Sequence, residues 1–166
     1  MNGPSEPPRK KPRRREVTPA QRALGLLVRR EHSKLELTRK LLARGIAEDE
    51  AVAAVGKMAQ AGWQDDIRFA CSLARTRASA GYGPVRIRAE IQSHGLGAEA
   101  IDSAFAALAE AGEDDWPARA AEQVRKRFGA ARTAPLATQR KAADFLLRRG
   151  FESDCIRAAL DFPTED

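Results

Sequence analysis

A repeated helix-ending motif constrains the fold of this chain more than any other feature of its sequence. The motif occurs three times, as LLARGI at residues 41–46, IQSHGL at 91–96 and LLRRGF at 146–151. Its glycines, Gly45, Gly95 and Gly150, lie 50 and 55 residues apart. Glycine after a cationic or imidazole residue is typical of a helix C-terminus, because glycine readily adopts the left-handed conformation found there. The repeat therefore predicts a row of similar helical units.

Apolar residues at helical spacing flank each glycine, and the composition also favours helices. Val, Ile and Thr together supply only 18 of the 166 residues, which is a poor supply for a β-sheet. We predict an all-α fold, an elongated array of three tandem three-helix units with about nine helices. The units should cover residues 17–62, 63–112 and 113–162, with a short C-terminal tail at 163–166. A unit of about 50 residues buries too small a core to stand alone, so the units should stack on one another.

The positive charge is distributed unevenly along the chain. Residues 1–16 contain six cations, two acids and four prolines, which predicts a disordered basic tail that precedes the helices. Residues 17–62, 63–114 and 115–162 carry formal charges of +3, −3 and +4, and the whole chain carries +6. A continuous basic stripe for duplex DNA is therefore not evident.

Several protein classes are excluded by simple counts. The two cysteines, Cys71 and Cys155, are 84 positions apart, so neither a disulfide framework nor a CxxC metal cluster is available. No apolar run approaches the ~18 residues that a membrane span requires. The basic N-terminus has no apolar stretch behind it, unlike a secretory signal. We expect a cytoplasmic protein that does not enter a membrane.

The residues that most resemble catalytic groups have simpler interpretations. Asp65 and Asp115 each stand three positions after an Ala-Gly pair, where a helix N-cap is expected, so a carboxylate pair at Asp65–Asp66 is not needed for chemistry. The GYGP segment at 81–84 lacks a preceding strand and a Lys-Ser pair, so it reads as a turn and not as a phosphate loop.

The histidines and cysteines give no further site. His32 and His94 have no Cys, Asp or Glu at ligand spacing, and a contact with the helix dipole explains His94. Cys71 lies on an apolar helical stripe with no histidine beside it, as expected of a core thiol. We therefore expect no catalytic residues, no metal and no cofactor, and hence a protein that is not an enzyme.

Two local features carry structural predictions. Ser33 and Glu36 fit a capping box, in which each side chain satisfies a free backbone donor at the helix start. Trp63 and Trp116 each follow the end of a unit's third helix, and we expect them to fill the junctions between units. Base stacking is the alternative for these two rings.

Cationic side chains cluster in the first and third units, leaving the middle unit acidic. They are either solvated helix faces or contacts to a partner with alternating surface charge. The candidate contact residues are Arg29, Arg30, Arg39, Lys40, Arg125, Lys126, Arg127, Arg140, Lys141, Arg148 and Arg149.

Longer segments around these motifs resemble a known family. They run from residue 27 to Gly45, from Gly62 through GWQDD to Arg77, and from the GYGP turn to Gly95. In combination they are similar to the RecX family, and the similarity covers roughly residues 20–162. The third unit matches through QRKAA at 139–143 and RRGF at 148–151, although its loop from 129 to 135 is longer.

The resemblance implies a cytoplasmic, helical and non-enzymatic regulator of the bacterial recombinase RecA. RecX proteins bind the RecA–single-stranded DNA filament and restrain its ATP hydrolysis, its strand exchange and its co-protease activity toward the SOS repressor. The expected partners are thus the RecA filament and, indirectly or weakly, single-stranded DNA. We expect the protein to bind them as a monomer. A general nucleic-acid-binding helical protein, holding phosphates without a recombinase, is the alternative.

Overall fold

The computed structural model describes residues 16–160, and these form nine α-helices, one short 3₁₀ turn and no strand. Most of the predicted basic tail, at 1–15, and the predicted C-terminal tail lie outside the described residues. The helices are α1 (Pro19–Leu27), α2 (Lys34–Leu42), α3 (Glu48–Gln60), α4 (Asp66–Ser79), α5 (Pro84–Ser93), α6 (Ala98–Glu110), α7 (Trp116–Phe128), α8 (Leu136–Arg148) and α9 (Ser153–Leu160), with the 3₁₀ turn at Ala131–Thr133 between α7 and α8.

The helices pack in consecutive groups of three, which confirms the predicted all-α, elongated architecture. Each group has its own apolar core, to which all three of its helices contribute. The residue four positions before each repeated glycine is fully buried in all three cores: Leu41, Ile91 and Leu146. We call the groups the first, second and third units.

The predicted helix ends are confirmed where the motif placed them. Gly45, Gly95 and Gly150 have φ angles of 80°, 73° and 84°, the left-handed region that favours glycine. Asp65 and Asp115 are N-caps, since their carboxylates accept from the Arg68 N–H at 2.8 Å and the Ala118 N–H at 3.0 Å. The carboxylates singled out in the sequence are thus engaged in holding helix starts.

The predicted capping box at Ser33 is only half correct. Ser33 Oγ accepts from the Glu36 N–H at 3.1 Å, as an N-cap does. The Glu36 side chain, however, binds Arg30 and Lys40 instead of returning to the Ser33 backbone. Two cations within reach attract a carboxylate more strongly than one neutral backbone N–H does.

The prediction that both tryptophans fill junctions is correct for one of them. Trp116 packs against the cores of the second and third units together. Trp63 is 53% exposed, so its predicted place in a junction is wrong. Gln64 takes that place, because its side chain is 2% exposed and reaches across to the His32 carbonyl at 3.2 Å.

The first junction, between the first and second units, is made by side chains. The C-cap residue of α5, His94, places its Nδ1 atom 2.8 Å from the Oγ atom of Ser33, the N-cap of α2. The Phe69 ring lies against His94, with ring centroids 4.6 Å apart. Further polar contacts join Gln64 to His32, Lys34 to Asp66 and Arg68 to Glu31.

The second junction, between the second and third units, is made largely by backbone. The N–H of Gly83, the N-cap of α5, donates to the Arg149 carbonyl at 2.8 Å, and the Val85 N–H donates to the Gly150 carbonyl at 3.0 Å. A Cβ atom on Gly83 would lie 2.3 Å from the Gly150 oxygen. Both junctions therefore bring the end of one middle helix onto the start of the preceding middle helix.

The loop before α8 departs from the other two units, as its greater length in the sequence suggested. It contains the 3₁₀ turn, and α8 begins after Pro135, which occupies the N-cap position. Proline has no backbone N–H to donate. The start of α8 therefore lacks the donor that Gly83 supplies in the second junction.

Candidate partner-binding surface

The predicted contact residues of the first unit divide into two kinds. Arg29 and Arg39 are exposed and make no ion pair or side-chain hydrogen bond within residues 16–160. Arg30 and Lys40 instead bind the carboxylate of Glu36, Lys40 at 3.1 Å. We call exposed cations without such a partner in the described chain open cations.

The third unit contains more open cations than the first. Arg140, Lys141 and Arg148 are all on α8, and Arg125 is on α7; none pairs with another side chain among the described residues. Lys141 and Arg148 are seven positions apart, which places them on the same face of the helix. Such cations are free to bind a phosphate or a carboxylate of a partner.

The remaining predicted contacts of the third unit already have partners. Lys126 pairs with Glu122 at 2.8 Å, and this hydrogen bond lowers the pKa of the Glu122 carboxyl. Arg127 lies over the Phe145 ring, 4.9 Å from its centroid. Arg149 belongs to the second junction and is described next.

Arg149 points away from the surface on which its neighbour Arg148 lies. Its guanidinium donates to the Ala80 carbonyl at 2.8 Å and stacks over the Tyr82 ring, 4.9 Å from the centroid. Both partners belong to the second unit: Ala80 is the C-cap of α4, and Tyr82 lies in the GYGP turn that follows it. Arg149 therefore holds two units together, and Arg148 is the open member of the pair.

The cations of the middle unit are mostly engaged within the molecule. Arg77 binds Glu90 at 2.6 Å, an interaction that lowers the pKa of this carboxyl. Arg88 lies over the Phe105 ring at 4.5 Å and approaches Glu152 at 3.5 Å. The middle unit also carries a net negative charge. Open cations are therefore found mainly in the first and third units.

A groove of about 450 Å³ follows the first junction. It is lined by two ion pairs, Arg30 with Glu36 and Arg77 with Glu90. Burial alone would raise the pKa of Glu36, but hydrogen bonds from Arg30 and Lys40 lower it to about 2. Because the pKa values of Glu36 and Glu90 are lowered, neither carboxyl can serve as a general acid near neutral pH. We therefore interpret the groove as a structural feature.

A buried histidine beside the groove is held in its neutral form. His32 is 2% exposed, its Nδ1 atom donates to the Arg30 carbonyl at 2.9 Å, and its Nε2 atom accepts from Lys40 at 3.1 Å. Burial is the largest cause of its lowered pKa. Sequence patterns did not predict this arrangement. Arg30 and His32 lie in the loop before α2 and Lys40 lies within α2, and no local pattern joins these three groups.

The part of the chain that the structure describes contains neither a candidate metal cluster nor a helix suited to a membrane. No cluster of three or more His, Cys, Asp or Glu side chains in residues 16–160 has the arrangement of a metal site. None of the helices described has the length and apolar character needed to cross a bilayer.

Comparison with known proteins agrees with the three-unit organisation. Residues 21–58, 65–104 and 113–160 match the family models for the first, second and third three-helix domains of RecX, respectively. The chain belongs to the RecX family. Its three domain models account for all three units, in the same order along the chain.

Curated members of the RecX family match this chain along nearly its whole length. It is 56% identical over 162 residues to "Regulatory protein RecX" of Xanthomonas axonopodis pv. citri (strain 306), covering 97% of this chain and 98% of that protein. It is 56% identical over 160 residues to that of Stenotrophomonas maltophilia (strain R551-3), covering 96% of each. The family is one of regulatory proteins and not a known enzyme family.

Solved structures of the RecX family share the fold at lower sequence identity. A crystal structure of "regulatory protein RecX" superposes with a TM-score of 0.71 at 23% identity, covering 87% of this chain and 72% of that one. RecX from Lactobacillus salivarius gives 0.63 at 23% identity, covering 86% and 94%. The elongated helical array is therefore common to this chain and to both crystal structures.

Proposed function

We propose that this chain is a cytoplasmic, non-enzymatic regulator of a bacterial RecA recombinase, and mainly an inhibitor. It binds as a monomer to the RecA–single-stranded DNA filament and limits ATP hydrolysis, strand exchange and SOS co-protease activity. Membership in a family of regulatory proteins supports the regulatory role. The observation that carries the mechanism is the placement of open cations in the first and third units, on either side of an acidic unit.

The placement suits a partner that offers negative charge at two separated points. In a protein filament that carries DNA, acidic protein surface and phosphate alternate, so the two ends of an elongated molecule can each find a complementary surface. Two weak contacts joined by a stiff spacer bind much more tightly than either contact alone, because the second is made at high effective concentration. The middle unit is the spacer in this mechanism.

The mechanism predicts that inhibition requires both cationic ends, the one in the first unit and the one in the third. We expect the double variant Arg140→Glu/Arg148→Glu to raise the concentration needed for half-inhibition of recombinase ATP hydrolysis on single-stranded DNA by about tenfold or more. Arg29→Glu/Arg39→Glu should have a similar effect at the other end. The matched control is Lys57→Glu/Arg75→Glu, which changes the net charge equally at exposed cations outside the proposed contact set.

The outcomes separate specific contact from net charge. If the control lost inhibition as strongly as the two test variants, the effect would come from overall charge and the two-ended contact would be wrong. If the unmodified protein did not inhibit the recombinase over a wide titration, the regulatory proposal itself would fall.

The same cations also suit a second candidate, a general nucleic-acid-binding protein that needs no recombinase. Direct phosphate binding would weaken steeply with salt, with a slope of roughly −0.7 per phosphate contacted on a single strand. A regulator of the filament should instead inhibit at concentrations well below those that saturate bare DNA. Fluorescence anisotropy with single-stranded DNA alone, at several salt concentrations, distinguishes the two.

A further inference from the structure

Both junctions use the C-terminal end of a middle helix as the docking element. Arg149 and Gly150, at the end of α8, dock on Gly83 at the start of α5. His94, at the end of α5, docks on Ser33 at the start of α2. The repeated motif thus ends a helix and also binds the start of another helix.

The first unit carries a third copy of this docking element, with nearly the same local structure as the copy at the end of α8. The Gly45 N–H donates to the Leu42 carbonyl at 2.9 Å, as Gly150 does to Leu147 at 3.0 Å. Their φ angles are 80° and 84°. An arginine precedes the glycine in both copies, and LLARGI corresponds to LLRRGF. The two ends are therefore built alike.

The end of α2 and the end of α8 have different surroundings. Gly150 is buried, and a Cβ atom there would lie 2.5 Å from Arg86 of the second unit. Gly45 is exposed, and nothing lies within 4 Å of a Cβ atom built on it. Arg44 is exposed as well, and neither it nor Gly45 engages another unit in residues 16–160. The first unit therefore presents a docking element that has nothing docked on it.

We propose that the end of α2, formed by Arg44 and Gly45, is an interaction site for the start of a helix in the partner protein. The second junction supplies the chemistry of that partner. The partner helix would begin at a small N-cap such as glycine, with first-turn N–H groups free to donate to the carbonyls of Arg44 and Gly45. The turn before it would offer carbonyls to the Arg44 guanidinium, as Ala80 does to Arg149. This proposal rests on the proposed function, since the recombinase is the partner.

A second copy of this chain is a poor occupant. Within residues 16–160, α8 is the one middle helix whose start is not covered by another unit, and its N-cap is Pro135. Proline lacks the N–H that Gly83 donates in the second junction. The exposed glycine N-cap of a second copy, Gly97, begins α6, which is a third helix and not a middle helix. A second copy therefore lacks an uncovered start equivalent to that of α5, and we assign the occupant to the partner protein.

The test is a pair of variants that differ only in location. Gly45→Asn and Gly62→Asn both place a side chain at an exposed C-terminal glycine with φ near 80°, at 80° and 77°, and with open space around it. Asparagine tolerates this conformation better than other residues do, and the remaining cost is the same at both sites. Both full-length variants should therefore have equal helicity and equal unfolding midpoints.

The proposal predicts that only one of the pair loses function. Gly45→Asn should raise the half-inhibiting concentration for ATP hydrolysis by the recombinase on single-stranded DNA by about tenfold or more, while Gly62→Asn stays within about twofold of the unmodified protein. Arg44→Ala should also weaken inhibition, compared with Arg75→Ala, another exposed open cation. Binding to single-stranded DNA alone should be unchanged by Gly45→Asn.

Each other outcome counts against the proposal. If Gly45→Asn and Arg44→Ala inhibit as well as the unmodified protein, the α2 end is not a docking site, although the proposed function stands. If Gly45→Asn instead shifts a monomer–oligomer equilibrium in sedimentation velocity, the occupant is a second copy and the proposal is wrong. If the unmodified protein does not inhibit, the proposed function fails and this site fails with it.

Discussion

The first junction joins two units through side chains, whereas the second joins two units largely through backbone. At the first, Ser33 and His94 meet through a hydroxyl and an imidazole, and Gln64 reaches a carbonyl. At the second, the N–H of Gly83 meets the Arg149 carbonyl directly. In both junctions the end of one middle helix meets the start of another, but the two junctions use different kinds of contact.

The difference teaches what each junction can tolerate. At Gly83 and Gly150 the two units approach too closely to leave room for a Cβ atom, so the second junction fixes the distance between its units closely. A side-chain junction keeps the backbones farther apart, as the 3.9 Å between a Cβ atom on Gly95 and the Leu35 side chain indicates. The first junction also contains the buried His32, whose pKa is lowered by burial, so pH should act on this junction first.

The largest effect should come from adding a side chain to the second junction. Gly83→Ser places a Cβ atom 2.3 Å from the Gly150 carbonyl oxygen, and we expect it to lower the free energy of unfolding by about 3 kcal/mol. Urea unfolding followed by circular dichroism measures this loss. Serine itself is a good N-cap, so the residue type is not the cause.

A second glycine provides the control. Gly97, the N-cap of α6, has nothing within 4 Å of a Cβ atom, so Gly97→Ser should be neutral or slightly stabilising. Equal losses from the two substitutions would mean that close approach at the second junction does not determine its stability.

An intermediate effect is expected at the first junction. Ser33→Ala removes both an N-cap and the contact with His94, for a loss of about 2 kcal/mol in the free energy of unfolding. Thr18→Ala removes an N-cap that makes no contact across a junction, and should cost about 1 kcal/mol. Urea unfolding of both variants checks the difference, and equal values would assign no stability to the Ser33–His94 contact.

The smallest effect should be the response of the first junction to mild acid. Because burial lowers the pKa of His32 below its usual 6.5, the unfolded chain binds more protons at this residue below pH 6.5. Stability should therefore fall as the pH drops from 7 to 5. Glu36, with its pKa near 2, adds to the loss only below about pH 4.5.

Hydrogen exchange can assign this response to one junction. Protection of the Lys34 N–H, which donates to Asp66 across the first junction, should fall at pH 5. Protection of the Gly83 N–H at the second junction should change less. A larger loss at Gly83 than at Lys34 would contradict the comparison drawn between the junctions.

The sequence predicted those parts of the fold that depend on local rules. Gly45 and Gly150 follow from helix-ending chemistry, and Asp65 and Asp115 from N-capping, because each acts within one turn of its own helix. The Ser33–His94 contact joins residues 61 positions apart, and no local pattern requires it. Gly83 was predicted as part of a turn, but its close approach to Gly150 depends on how two units pack.

The sequence predicted which cations form the candidate surface, but not which of them are engaged within the molecule. Arg148 and Arg149 are neighbours of one type, and only the packing of α8 on the second unit separates the open cation from the structural one. Trp63 was misplaced for a related reason. The sequence indicates that a junction must be filled, but not that the amide of Gln64 fills it.

The order of the docking elements bears on how the protein is made. The surface that receives each docking element is translated first: Ser33 precedes His94 by 61 residues, and Ala80 precedes Arg149 by 69. A unit leaving the ribosome therefore already presents the helix start on which the next unit will close. Because domains generally fold from the N-terminus during synthesis, the array can assemble one unit at a time without waiting for the end of the chain.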